Sequence, residues 1–226
     1  NNSISGFTCK RNYITQTINF PGNQSNPSSN IAIIGSIFSG GNFENAVNTL
    51  VSNCIISNGN INNSHGNNFN NNIILWHDGN SSGYLFYNSN NNILSNNIIL
   101  REGRYTDRIA NGDGNVLNNN VFSHSTPSLG TNVTLSNNTT GVVFSELFNN
   151  QTGINFDYSH DYHLQDETLY LGNDGKQVGI YGGVFPYKAG AVPINPHIME
   201  INISNTTNEQ GELPIQIKVS TQKDKD

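Results

Sequence analysis

Short clusters of Ile, Leu, Val and Phe recur along this chain, set apart by polar stretches. The best example is a seven-residue phrase, Leu50-Val51-Ser52-Asn53-Cys54-Ile55-Ile56, which reads apolar-apolar-polar-polar-variable-apolar-apolar. It returns at 33–39, 93–99 and 116–122, with weaker copies at 3–9, 68–74 and 134–140. With the fifth position as anchor, the copies fall on Phe7, Ile37, Cys54, Asn72, Asn97, Asn120 and Asn138. These anchors lie roughly 17 to 30 residues apart, about one coil of a parallel β-helix at each step. A single coil of short strands and turns cannot bury its own apolar side chains. Stacking coils about 4.8 Å apart aligns equivalent residues into ladders and pairs each strand with the one above. One inward ladder is expected from Ile4, Ile34, Val51, Phe69, Leu94, Leu117 and Leu135. A second, at a turn, is expected from Asn72, Asn97, Asn120 and Asn138, because Asn tolerates left-handed backbone and its amide reaches the next coil.

After Thr140 the phrase fades. Asp161-Tyr162-His163-Leu164 and Gly179-Ile180-Tyr181-Gly182-Gly183 lead into an irregular stretch punctuated by Pro186, Pro193 and Pro196. Two alternating segments follow, 199–203 and 213–219, with Ile201/Ile203 and Ile215/Ile217/Val219 each on one face, and the turn between them makes a hairpin. The predicted fold is all-β: a right-handed parallel β-helix over 1–183, with an antiparallel hairpin over 184–226 covering the open end, which otherwise exposes a pairing edge.

Composition agrees with a solenoid rather than a layered globule. Asn supplies about a fifth of the residues, hydrophobic residues are 34% and charged ones 12%, too little aliphatic material for a large conventional core. A net charge of −6 offers no basic stripe to neutralise phosphates, which argues against nucleic acid and anionic lipid as partners. No run of eighteen apolar residues is present, so membrane insertion is not expected. The chain opens inside repeat sequence (Ile4, Phe7) without a signal peptide, which predicts further coils upstream.

The order of these features resembles the C-terminal part of secreted right-handed β-helix proteins of Bacteroidota, which share the pectin-lyase-like fold. Asn-rich coils are followed by Asp161-Tyr162-His163-Leu164, then Asn173-Asp174-Gly175 with Gly179-Ile180-Tyr181-Gly182-Gly183, then a Pro-spaced terminal β-segment. Family members usually carry a Ser-Pro-Ala-like phrase after the Asp-Tyr-His-Leu motif, where this chain has Asp166-Glu167-Thr168-Leu169-Tyr170. The resemblance implies a secreted or outer-membrane surface location and this architecture. Most such relatives have no assigned activity.

Coil equivalence also nominates a site. Just past the anchor strands the series reads Asn58, Trp76, Arg101, His124, and the next position reads Gly59, His77, Glu102, Ser125. Two long loops, 76–90 and 101–115, leave at this edge and carry Asp78, Tyr84, Tyr87, Arg104, Tyr105, Asp107, Arg108 and Asp113. An aromatic face beside guanidinium and carboxylate groups suits a sugar, so Trp76, His77, Asp78, Arg101, Glu102, Arg104 and His124 are the expected ligand-binding residues. The plain alternative is solvated loops with their rings folded against the helix wall. A polysaccharide lyase would need a base and an Arg or Ca²⁺ to neutralise a uronate carboxylate. Arg101, Arg104, Arg108, His77 and His124 fit the first demand, and Asp78, Glu102, Asp107 and Asp113 could hold the cation. A hydrolase would need two spaced carboxylates, for which Asp78 and Glu102 qualify.

Three readings follow: a surface protein contacting polysaccharide along one flank, a lyase or hydrolase with catalytic coils partly upstream, and a structural or adhesin component docking with an outer-membrane complex. No cofactor is called for beyond Ca²⁺ in the lyase case. Asp157, His160, Asp161 and His163 read as turn and packing elements rather than metal ligands. Cys9 and Cys54, two coils apart, are expected as unpaired thiols, since a disulfide needs Cα atoms within about 7 Å.

Overall fold

The computed structural model describes residues 3–14, 18–19, 23–40, 42–77, 83–187 and 197–220. It divides into two compact units, Asn1–Tyr187 and Lys188–Asp226. The first is a parallel β-helix. Its coils contribute strands to a seven-stranded sheet (Thr8–Lys10, Ala32–Ile34, Leu50–Ser52, Asn68–Asn70, Ile93–Ser95, Val116–Asn118, Thr134–Ser136) and to a six-stranded one (Tyr13–Ile14, Ile37–Ser39, Ile55–Ser57, Ile73–His77, Ile98–Glu102, Val121–Phe122). A third, four-stranded sheet takes Ile18–Asn19, Phe43–Glu44, Ile61–Asn62 and Phe86–Tyr87. Every pairing in the three sheets is parallel.

The inward ladder is Cys9, Ile33, Val51, Phe69, Leu94, Leu117 and Leu135. From Val51 onward its register is the expected one; Val51, Phe69, Leu94 and Leu117 are buried, while Leu135, on the last strand of the stack, is exposed. The first two coils correct the reading. Ile33, not Ile34, faces Val51, and Cys9, not Ile4, faces Ile33. Two adjacent isoleucines made either frame of that coil look apolar, and only the turn chemistry separates them. Each fully buried Leu, Ile or Phe contributes about 1.5–3 kcal/mol, so the stacked column carries much of the helix.

Turn chemistry sets the coil length. Asn12 N–H donates to Ser36 Oγ, Ser36 N–H to Cys54 Sγ and Cys54 N–H to Asn72 Oδ1, at separations of 24, 18 and 18 residues. The column continues from Asn72 to Asn97, Asn120 and Asn138 at 25, 23 and 18 residues. The true anchors of the first coils are therefore Asn12 and Ser36, not Phe7 and Ile37. Each amide also donates back across the stack, Asn97 Nδ2 to Phe69 O at 2.8 Å and Asn120 Nδ2 to Leu94 O at 2.8 Å. A parallel column runs Thr49, Asn67, Asn92, Asn115 at the next corner.

The left-handed backbone falls one residue earlier than expected. Asn53, Asn71, Asn96, Asn119 and Asn137, each just before a ladder residue, have φ between 51° and 59°. Arg11 is the sole non-Asn, non-Gly residue with positive φ among the described residues. The pair thus divides its work, the first residue turning the chain and the second bonding to the next coil.

Strands of the six-stranded sheet carry adjacent apolar residues, Ile55-Ile56, Ile73-Ile74 and Ile98-Ile99. Successive side chains point to opposite faces, so both faces need cover. Ile56, Ile74 and Ile99 face the helix interior. Ile37, Ile55, Ile73, Leu75, Ile98, Leu100 and Val121 face outward against Leu147, Phe148, Ile154, Tyr162, Leu164, Val178 and Ile180. After Thr140 the chain returns along this flank and forms an antiparallel pair, Phe148–Asn150 with Asp161–Leu164.

The left-handed Asn residues hold the returning chain. Asn119 Nδ2 donates to Leu171 O, Asn71 Nδ2 to Gly179 O, and Asn53 Nδ2 to both Ile180 O and Gly182 O. Asn96 Oδ1 accepts from Asn173 N–H. The Gly-rich motif follows from this closeness: a Cβ on Gly182 would lie 1.7 Å from Gln177 O, and one on Gly179 (φ +79°) 2.7 Å from Ile98 Cδ1.

In the second unit, His197–Ile203 and Ile215–Ser220 form the expected antiparallel hairpin, with Ile201 opposite Ile217 and Ile203 opposite Ile215. Pro193 and Pro196 lie outside the described residues.

Both cysteines are free thiols, as expected. Cys9 stacks beside Ile33, and Cys54 takes an Asn position in the ladder. Burial pushes the Cys54 thiol up to about 12.

Candidate functional site

Trp76 and Arg101 are neighbours in register, and both point into the helix, at 4% and 2% exposure. The Arg101 guanidinium carbon sits 3.6 Å from the Trp76 ring centroid. Its Nη2 donates to Gly83 O at 2.9 Å and its Nη1 to Arg108 O. A buried charge needs such partners, and here an aromatic face and two carbonyl dipoles supply them. The contacts draw both long loops onto the coil. Trp76 and Arg101 therefore act as an internal pin, with little surface left to meet a ligand.

His77 and Glu102 follow them in sequence, point the opposite way and are exposed. Arg104 is also exposed, its guanidinium 5.3 Å from the Tyr105 ring, which Arg108 approaches to 4.2 Å. Asp78 lies outside the described residues.

Glu102 and His124 come together in an open groove of ≈ 560 Å³. Arg101, Glu102, Thr106, Ser123 and His124 form one wall, and Val142, Val143, Phe144, Ser145, Gln151 and Gly153 of the returning chain form the other. Trp76, His77 and Arg104 are not in its lining. The coil wall is polar. Ser123 Oγ accepts from Arg101 N–H at 3.0 Å, and Thr126 N–H donates to His124 Nδ1 at 3.1 Å, which places the proton of the neutral imidazole on Nε2. No cation pairs with Glu102 among the described residues. On the far wall Val142 and Phe144 are half-buried, and Gln151 Nε2 donates to Gly153 O at 2.9 Å. Gln151 Oε1 is buried with no hydrogen-bond partner. The groove thus sets the apolar run Val142, Val143 and Phe144, with Ser145 and the Gln151 amide beside it, against a wall of hydroxyl, imidazole and carboxylate groups.

The far wall escaped the sequence reading because it belongs to no repeat. Its signal was present in the paired apolar residues of the six-stranded sheet, which required an outer cover.

The Asp161-Tyr162-His163-Leu164 motif has a packing role, as expected. His163 Nδ1 lies 2.5 Å from Asp161 Oδ1, and its ring stacks on Tyr181 at 3.8 Å. The backbone N–H of His163 holds the Asp161 carboxyl below the usual range. Tyr162 is buried edge-on to Phe148. No group of three metal-capable side chains occurs among the described residues.

Comparison with protein-family models, with curated proteins and with solved structures finds no match.

Proposed function

We propose that this is a secreted or cell-surface β-helix protein, akin to the Bacteroidota proteins it resembles, that binds a neutral polysaccharide in the flank groove. The observation carrying this reading is the groove's two-sided lining. Val142, Val143 and Phe144 suit the apolar face of a pyranose, while Glu102, Ser123, Thr106 and His124 suit its hydroxyls. Neutral sugar is favoured over uronate because the one guanidinium at the groove, Arg101, turns inward to Trp76 and the loop carbonyls, leaving Glu102 as the charge presented. The same orientation weighs against a lyase, which needs a cation facing the substrate carboxylate.

Titration calorimetry with cello-, xylo- and chito-oligosaccharides and with oligogalacturonate tests the reading. Binding to at least one neutral series is expected, weakened tenfold or more by Glu102→Gln with His124→Ala. Binding of oligogalacturonate alone, or of none of the four, overturns it.

A further inference from the structure

A second exposed feature lies on the same flank. Tyr13, on the edge strand of the six-stranded sheet, is 47% exposed, and Tyr158 of the returning chain is 69% exposed. Their ring centroids are 5.4 Å apart at 58°, and Phe156 lies 4.9 Å from Tyr158 and 6.0 Å from Tyr13. Phe156 stacks parallel on buried Tyr162 at 6.0 Å, and its N–H donates to Ser57 Oγ. The platform is thereby fixed to the core before any ligand arrives, which lowers the ordering cost of binding.

Polar groups connect this platform to the groove. Asn155, next to Phe156 and two residues beyond the groove residue Gly153, accepts at Oδ1 from Asn58 Nδ2 at 2.8 Å. Asn58 Oδ1 in turn accepts from His77 N–H, and His77 is the register neighbour of Glu102. An exposed strip thus runs from Glu102 and His124 past the Asn58–Asn155 amide pair to Phe156, Tyr158 and Tyr13. It crosses the width of the six-stranded sheet, about 24 Å at about 4.8 Å per strand.

We infer that the aromatic platform is a second saccharide contact, and that groove and platform together take one extended neutral glycan chain. Rigid rings with phenol hydroxyls at their rims, beside amides and the Asp157 carboxylate, match a surface that is apolar on the ring face and polar at its edge. The inference rests on the groove reading and adds ligand length to it.

The test is calorimetry with cello- and chito-oligosaccharide ladders, from disaccharide to octasaccharide. Affinity should rise about tenfold as the chain becomes long enough to reach the platform. Tyr158→Ala should abolish that rise and leave the affinity for short oligomers unchanged, while Tyr158→Trp retains it. Tyr158 is largely exposed, so an unchanged melting temperature should accompany the loss. Affinity independent of length, with short-chain binding still lost in Glu102→Gln, overturns the platform and leaves the groove standing. Tyr158→Ala weakening every length equally while Glu102→Gln changes nothing overturns the groove reading and the single-chain inference with it. No binding at any length overturns both. A change in sedimentation mass on Tyr158→Ala, without effect on glycan affinity, overturns the platform in favour of self-association.

Discussion

Replacing Asn97 by Ala isolates the contribution of one ladder amide. Asn97 is fully buried, and its side chain makes four hydrogen bonds. Oδ1 accepts from the N–H and the Nδ2 of Asn72, both at 2.9 Å, and Nδ2 donates to Phe69 O and Asn120 Oδ1. Asn72 Nδ2 keeps its bond to Val51 O, but the Asn72 N–H loses its acceptor inside the protein. Net hydrogen bonds contribute about 0.5–1.5 kcal/mol each and an orphaned buried donor costs about 1–3 kcal/mol, so four lost bonds and one orphaned donor give a loss of about 3–9 kcal/mol. That is a large share of the about 5–15 kcal/mol that holds an ordinary domain. Asn97→Asp sharpens the test, because it keeps both acceptor contacts and aims a carboxylate oxygen at Phe69 O and Asn120 Oδ1. It should cost at least as much at neutral pH and regain part of the loss in acid, where the carboxyl is protonated. Urea denaturation read by the single tryptophan, buried Trp76, measures all three proteins. A loss below about 1 kcal/mol for Asn97→Ala would falsify the claim that the ladder stabilises the stack.

Further outcomes are expected elsewhere. Asn137, exposed with φ 51°, should lose about 1 kcal/mol on Asn137→Ala and less on Asn137→Gly, since only the former pays the left-handed penalty. Gly182→Ala should loosen the returning chain, seen as faster hydrogen exchange over 171–183 with the coil amides still protected; unchanged exchange there would count against the close approach. Thiol counting under denaturing, non-reducing conditions should find two free thiols, with Cys54 slow to react in the native protein; a single free thiol or none contradicts the coil count. The Cys54 thiol and the Tyr162 phenol are each held up to about 12, from 9.0 and 10.0, mainly by burial. The unfolded chain releases these protons first, so stability should fall as pH rises from about 9 towards 12. Cys54→Ser should soften that fall, and a melting temperature flat over the range contradicts the assignment. Burial lowers His65 from its usual value, so the unfolded chain takes up this proton first and stability should drop as pH falls through about 6.5. A His65→Gln protein with the same slope would refute it.

The sequence made the stack legible because identical turns repeat. Asn-Asn pairs at 71–72, 96–97, 119–120 and 137–138 fix both the left-handed residue and the bonding residue, so the register there could be read directly. It failed where Gly35-Ser36 and Arg11-Asn12 do the same work with other side chains, since the apolar pattern alone cannot distinguish Ile33 from Ile34. The candidate edge was legible in part. Coil equivalence correctly paired Trp76 with Arg101, yet spacing carries no information about whether a residue faces the interior, and alternation from buried Ile74 and Ile99 turns both inward. The groove needed the path of 142–153 across the flank, a long-range packing choice with no periodic signature.

The measurement that bears most directly on the proposed function is hydrogen exchange of the whole protein with and without a saturating neutral oligosaccharide. Slowed exchange should appear together in two segments distant in sequence, around 102–106 and 123–126 on the coil and 142–153 on the returning chain, with the rest of the helix unchanged. Protection confined to one wall, or none in either, contradicts a ligand seated between them.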